Sequence, residues 1–150
     1  MSMMSTIRTI LLAEDSAADA EMAIDALREA NLANPIVHVE DGVEAMEYLE
    51  RKGRFADRPD EEPAVLLLDI KMPRMDGLEV LRRIRSDERL RRMPVVILSS
   101  SREESDLVRS WDLGVNAYVV KPVDIDQFFG AVKTLGKFWA VINEQPVGEG

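Results

Sequence analysis

The chain has no cysteine and a single histidine, His38. Disulfides, thiolate nucleophiles and Cys-ligated zinc are thereby excluded, and one imidazole cannot build a His-rich metal site. Oxygen-ligated hard cations stay open. Positive charge is also in short supply: the net charge is −9 and the pI is near 4.7. Lys and Arg neutralising phosphates supply most of the affinity for a nucleic-acid backbone, so a direct nucleic-acid role is not expected. No apolar run approaches the ~20 residues that span a bilayer, and the stretch from Met1 to Thr9 lacks the apolar core of a signal peptide. The expectation is a cytoplasmic protein without a membrane segment. There is no internal repeat and no linker to a second domain. A chain of 150 residues is one domain's worth, able to bury roughly two-thirds of its unfolded surface without a metal clip.

What is present is an alternation of short apolar runs and longer helical patterns. Ile10 to Ala13, Ile36 to Val39, Val65 to Leu68, Val95 to Leu98 and Ala117 to Val120 read as five strands, with helices in the gaps. Val65-Leu66-Leu67-Leu68 is apolar at every position, which suits a strand covered on both faces, and βαβ alternation makes such a sheet parallel with right-handed crossovers. The fold class is a doubly wound α/β sandwich. Ser101 to Glu104 and Asp124 to Gln127 each place a capping residue three positions before an acid or amide, a helix start directly after a strand. Asp41-Gly42 closes the second strand, and Gly53 to Pro63, rich in charge and proline, is expected to be an exposed loop.

In an open parallel sheet, ligands bind outside the carboxyl ends of the strands, near the point where strand order reverses. The residues there are Glu14 and Asp15 after the first strand, Asp69 after the third, Ser99 after the fourth and Lys121 after the fifth. Three carboxylates at one sheet edge repel, so they either retain a proton or recruit a cation, and all-oxygen ligation suits Mg²⁺. A carboxylate is also a nucleophile toward phosphorus, and a metal beside it neutralises charge on phosphoryl oxygens. Asp69 fits that role, with Lys121 and Ser99 supplying a charge and a hydroxyl to the same group. Singly, each residue has an ordinary use: an acid caps a helix, a serine makes a turn, a lysine is a solvated surface charge. Their agreement at successive strand ends is what argues for a phosphoaspartate cradle.

These residues carry a family resemblance. Over roughly residues 7 to 142, the chain resembles the receiver domain of two-component response regulators. The matching stretches are Ile10 to Asp15, Leu68 to Gly77, Val96 to Ser100 and Gly114 to Pro122. The resemblance implies the flavodoxin-like strand order 2-1-3-4-5, Asp69 as the phosphorylation site, Asp15 as a direct Mg²⁺ ligand, Glu14 acting through a water, and the backbone carbonyl of Lys71 as a further ligand. It leaves the Lys71 side chain free to point at the site entrance, where it and Ser101 tune phosphoryl lifetime. It makes Ser99 and Tyr118 a switch pair that reshapes the surface of the fourth helix, fifth strand and fifth helix, and it implies a cis peptide between Lys121 and Pro122. Glu14 replaces the commoner Asp, and Ser99 stands where Thr is also common; neither change removes the group the chemistry needs.

Finer features, the loop from Gly53 to Pro63, the motif Val39 to Ala45 and the pair Phe138-Trp139, resemble single-domain regulators paired with phytochrome-type sensor kinases. The resemblance makes a sensor histidine kinase the phosphoryl donor. Residues 1–6 are expected to be a flexible N-terminus and 143–150 a tail, leaving no room for an effector domain after Ile142. Phe128, Val132, Leu135, Trp139 and Ile142 form one apolar stripe of the last helix, most simply core. Trp111, Phe129, Phe138 and Trp139 are candidates for a homodimer or kinase-docking surface. His38, inside a strand pattern, is expected to be structural.

Two rival readings stand beside this one. An aspartate-nucleophile phosphatase or phosphotransferase usually carries a second Asp two positions after the first, where this chain has Lys71. A degenerate receiver acting as a constitutive binding module would not need Glu14, Asp15, Asp69, Ser99 and Lys121 together.

Overall fold

The structure is a computed structural model describing residues 8–133 apart from Asn31 and Asp60, with side chains described to Ala131. Leu135, Phe138, Trp139 and Ile142 lie outside the described residues. The elements run β1 (Ile10–Ala13), α1 (Ala17–Glu29), β2 (Ile36–Val39), α2 (Gly42–Glu50), β3 (Val65–Asp69), α3 (Gly77–Ser86), β4 (Val95–Ser99), α4 (Arg102–Ser110), β5 (Ala117–Val120) and α5 (Ile125–Lys133). All strand pairs are parallel, in the order β2-β1-β3-β4-β5.

The apolar runs explain the architecture. Along β1, Ile10 and Leu12 pack with α1 and α5, while Leu11 and Ala13 face α2, α3 and α4. The same period of two divides Leu67 from Leu66 and Leu68, and Val96 and Leu98 from Val95 and Ile97. Each central strand is buried at every position because both faces are covered. Ala20, Ala23 and Ala26 let α1 lie close on the sheet, and Phe128, fully buried, fills the space between α5 and β5's side of that core. The apolar stripe of the last helix is therefore core where it is described.

β3 and β4 each extend one residue further than their apolar runs, so Asp69 and Ser99 are the last paired residues of their strands. The two expected caps form, Ser101 Oγ accepting from the Glu104 N–H and Asp124 Oδ1 from the Gln127 N–H, and Asp41, read only as closing β2, also caps α2 by accepting from the Glu44 N–H. The loop expected between Gly53 and Pro63 opens with a short 3-10 turn, Gly53–Phe55. It is strapped to α2, because Arg58 donates to the Tyr48 and Leu49 carbonyls at 2.6 and 3.3 Å and lies over the Tyr48 ring. A guanidinium with five donors can satisfy the orphan carbonyls of a helix end, which composition alone does not reveal. No helix among the described residues is long and apolar enough to cross a membrane.

Candidate functional site

The site sits where the strand order reverses, at the carboxyl ends of β1 and β3. Glu14, the residue after β1, is 0% exposed. Its Oε2 accepts from the Ser16 N–H at 3.0 Å, and its Oε1 faces Lys121 Nζ at 3.1 Å. From β2, His38 Nε2 lies 2.7 Å from the Glu14 carbonyl oxygen, so that nitrogen carries the proton and steadies the turn leading into α1. This is the structural role expected for His38. Asp15, next along, is exposed at the mouth.

Asp69 is 4% exposed. The chain beyond it turns back sharply: the Gly77 N–H donates to the Ile70 carbonyl at 2.8 Å, and a Cβ on Gly77 would strike the Asp69 carbonyl oxygen. Only glycine lets α3 begin this close to the end of β3. The intervening turn holds Arg74 at a φ of 65° and fastens it to Asp41, Nε to Oδ2 at 2.9 Å and Nη2 to Oδ1 at 3.2 Å. Although burial raises the Asp41 pKa, that guanidinium and the Glu44 N–H outweigh it and hold the carboxyl below its usual range.

Lys121 follows β5 and closes the cradle. Its Nζ reaches Glu14 at 3.1 Å, Asp19 at 3.1 Å and Asp69 at 3.3 Å. The peptide to Pro122 is cis, as the resemblance implied. Burial lowers the Lys121 pKa, but Asp69, Glu14 and Asp19 more than offset it, so the ammonium is held firmly charged. Burial, and after it the Glu14 charge, pushes Asp69 up to about 7, with Lys121 pulling the other way. One ammonium does not neutralise this many carboxylates. Oxygens of Glu14, Asp15 and Asp69 lie within 4.8 Å of one another, a span that a small octahedral cation bridges with help from a bound water. The donor set is all oxygen and anionic, so it fits Mg²⁺ or Mn²⁺.

Ser99 is fully buried, and its hydroxyl bonds Ser105 Oγ of α4 at 2.5 Å. Tyr118 is partly buried with the Arg109 guanidinium 4.1 Å from its ring centroid. Lys71 is exposed at the mouth, and its ammonium is tied to Glu104 at 3.4 Å rather than standing free. Glu104 in turn accepts from the Ser100 N–H and hydroxyl at 2.8 and 3.1 Å. Of the interface candidates, Trp111 caps α4 and is 38% exposed with Arg82 over its ring, whereas Phe129 packs in part against the core. Phe138 and Trp139 lie outside the described residues.

Sequence reasoning missed Asp19, Ser105, Glu104 and the Arg74–Asp41 pair. No local signal marks them, because each meets its partner across elements: Asp19, in the first turn of α1, reaches Lys121 at 3.1 Å.

The family described as the response regulator receiver domain matches residues 10–133. Response regulator Rcp1 of Synechocystis is 35% identical over 132 residues, covering 88% of each chain, and the solved structure of its Mn²⁺-bound form superposes with a TM-score of 0.70. The bacteriophytochrome response regulator RtBRR is 52% identical with a TM-score of 0.88, over 95% of this chain and 86% of its own. AtBRR, also a bacteriophytochrome response regulator, is 53% identical with a TM-score of 0.87, over 93% of this chain and all of its own. With the sheet order, the acidic strand ends and the family match in agreement, the chain belongs to the response regulator receiver domains of two-component signalling.

Proposed function

We propose that Asp69 accepts a phosphoryl group from a phosphohistidine of a sensor kinase in a reaction supported by Mg²⁺, and that the phosphorylated form signals through protein contacts. The observation that carries this reading is the convergence of Asp69, Glu14, Asp15 and Lys121 within contact distance at one sheet edge.

Glu14, Asp15, Asp69 and the Lys71 carbonyl would hold the ion, whose contribution when bound is to neutralise phosphoryl oxygens and ligand charge. An Asp69 carboxylate oxygen forms a bond to phosphorus while the P–N bond to the donor imidazole breaks, and the leaving nitrogen takes a proton from water. Lys121 Nζ, already 3.3 Å from the Asp69 carboxylate, pairs with the incoming phosphoryl oxygens. The Ser99 hydroxyl donates to the same group, and Tyr118 follows it inward. Output then falls on α4, β5 and α5, where Leu107 and Trp111 are exposed and a second copy of the chain or the kinase would dock.

A phytochrome-type kinase is the proposed donor, because RtBRR and AtBRR, two relatives above half identity, are bacteriophytochrome response regulators. The test is phosphotransfer from an autophosphorylated bacteriophytochrome kinase to the parent and to Asp69→Asn. Label should move to the parent alone; label on both would place the acceptor elsewhere.

A further inference from the structure

Both switch residues are held by one face of one helix. The Ser99 hydroxyl lies 2.5 Å from Ser105 Oγ, with Ser99 fully buried and Ser105 nearly so. One turn further along α4, the Arg109 guanidinium sits 4.1 Å from the centroid of the Tyr118 ring. Ser105 and Arg109 are four residues apart, so they present to the same side of α4.

We propose that α4 acts as the brake of the switch, with Ser105 restraining the hydroxyl that the phosphoryl group must capture and Arg109 restraining the ring that must follow it. This rests on reading Asp69 as the phosphoryl acceptor. A serine hydroxyl has one proton to give. Ser105 has a second acceptor, the Ser101 carbonyl at 3.4 Å, which takes its own proton and leaves Ser99 as the donor between the two hydroxyls. When Ser99 turns to the phosphoryl group, that bond breaks, yet Ser105 keeps a partner. Release therefore leaves no orphaned polar group on α4. Tyr118 borders an open cleft of about 300 Å³ that Ser105 and Arg109 also line, so the ring has room to move once the guanidinium shifts. Ser105 is a positioning residue acting through Ser99; it touches no reacting atom.

Removing the Ser105 hydroxyl costs its bond to the Ser101 carbonyl in both states, but only in the resting state does Ser99 also lose its buried partner. The Ser105→Ala variant should thus bind a phosphoryl mimic more tightly, by roughly five-fold for a hydrogen bond of ordinary strength. Arg109→Gln should tighten binding by about two- to five-fold, the range of an exposed cation over an aromatic ring. The experiment is calorimetric titration of the full chain with beryllium fluoride in Mg²⁺, for the parent, Ser105→Ala, Arg109→Gln, Ser99→Ala and Ser99→Ala/Ser105→Ala, with circular dichroism confirming each fold. Tightening by Ser105→Ala that vanishes in the Ser99→Ala background is the expected result. Unchanged or weaker binding by Ser105→Ala, or tightening that persists without the Ser99 hydroxyl, would overturn the brake while leaving the acceptor reading intact. A parent that binds no beryllium fluoride in Mg²⁺ would overturn the acceptor reading itself, and the brake with it.

Discussion

Asp69 holds its proton to about pH 7 because burial and the Glu14 carboxylate disfavour its charge more than Lys121 favours it. An unfolded aspartate releases that proton near pH 3.9, so between about pH 4 and 7 the folded state binds more protons than the unfolded state. Stability without metal therefore falls as pH rises through that window, by at most roughly 4 kcal/mol from this group. Asn at position 69 keeps the shape and removes the charge. Thermal melts of Asp69→Asn should exceed the parent's at pH 8 in chelator, and the gap should shrink toward pH 5 or on adding Mg²⁺; a variant less stable than the parent at pH 8 would contradict the charge imbalance. By the same linkage, Mg²⁺ must displace that proton, so its affinity should weaken as pH drops below 7, which titrations at pH 6 and 8 would show. The residues of the candidate site were legible one by one as strand-end side chains. Their partners were not: Asp19 reaches Lys121, and Ser105 reaches Ser99, only through the packing of helices against strands.

At the scale of elements, apolar runs and caps were enough to locate β1, β2 and β5 to the residue and the starts of α4 and α5 within the capping residue. β3 and β4 read one residue short because each ends on a buried polar side chain, Asp69 or Ser99, that an apolar run does not include. The turn between β3 and α3 depends on close approach, which sequence expresses only as a glycine. Gly77→Ala would drive a methyl into the Asp69 carbonyl and Ile70. Backbone must shift to accommodate it, so stability should fall by about 1–3 kcal/mol in denaturant melts and phosphorylation should slow together with it. Ser101→Ala tests the local account of α4: losing the cap at Glu104 should cost about 1 kcal/mol in the same melts, with Asp69 still phosphorylated.

Across the whole molecule, the sheet separates two cores, one with α1 and α5 and one with α2, α3 and α4. β5 leads directly into Lys121 and abuts α4 through Tyr118, so the proposed phosphoryl site and α4 are joined by one strand. Leu107 and Trp111 are large apolar side chains that α4 and its cap leave exposed. If the α4–β5–α5 face joins two copies, sedimentation of Trp111→Ala should show weaker association than the parent; equal association would move the interface elsewhere. The aromatic candidates taken from sequence divide here, because a helical stripe does not show which neighbours fold back over it: Trp111 stays exposed while Phe129 leans on the core. The central claim is the acceptor. Incubating the chain with Mg²⁺ and a small acyl phosphate, then measuring intact mass, should show one added phosphoryl group on the parent and none on Asp69→Asn. An equal gain on both proteins, or none on either, would contradict it.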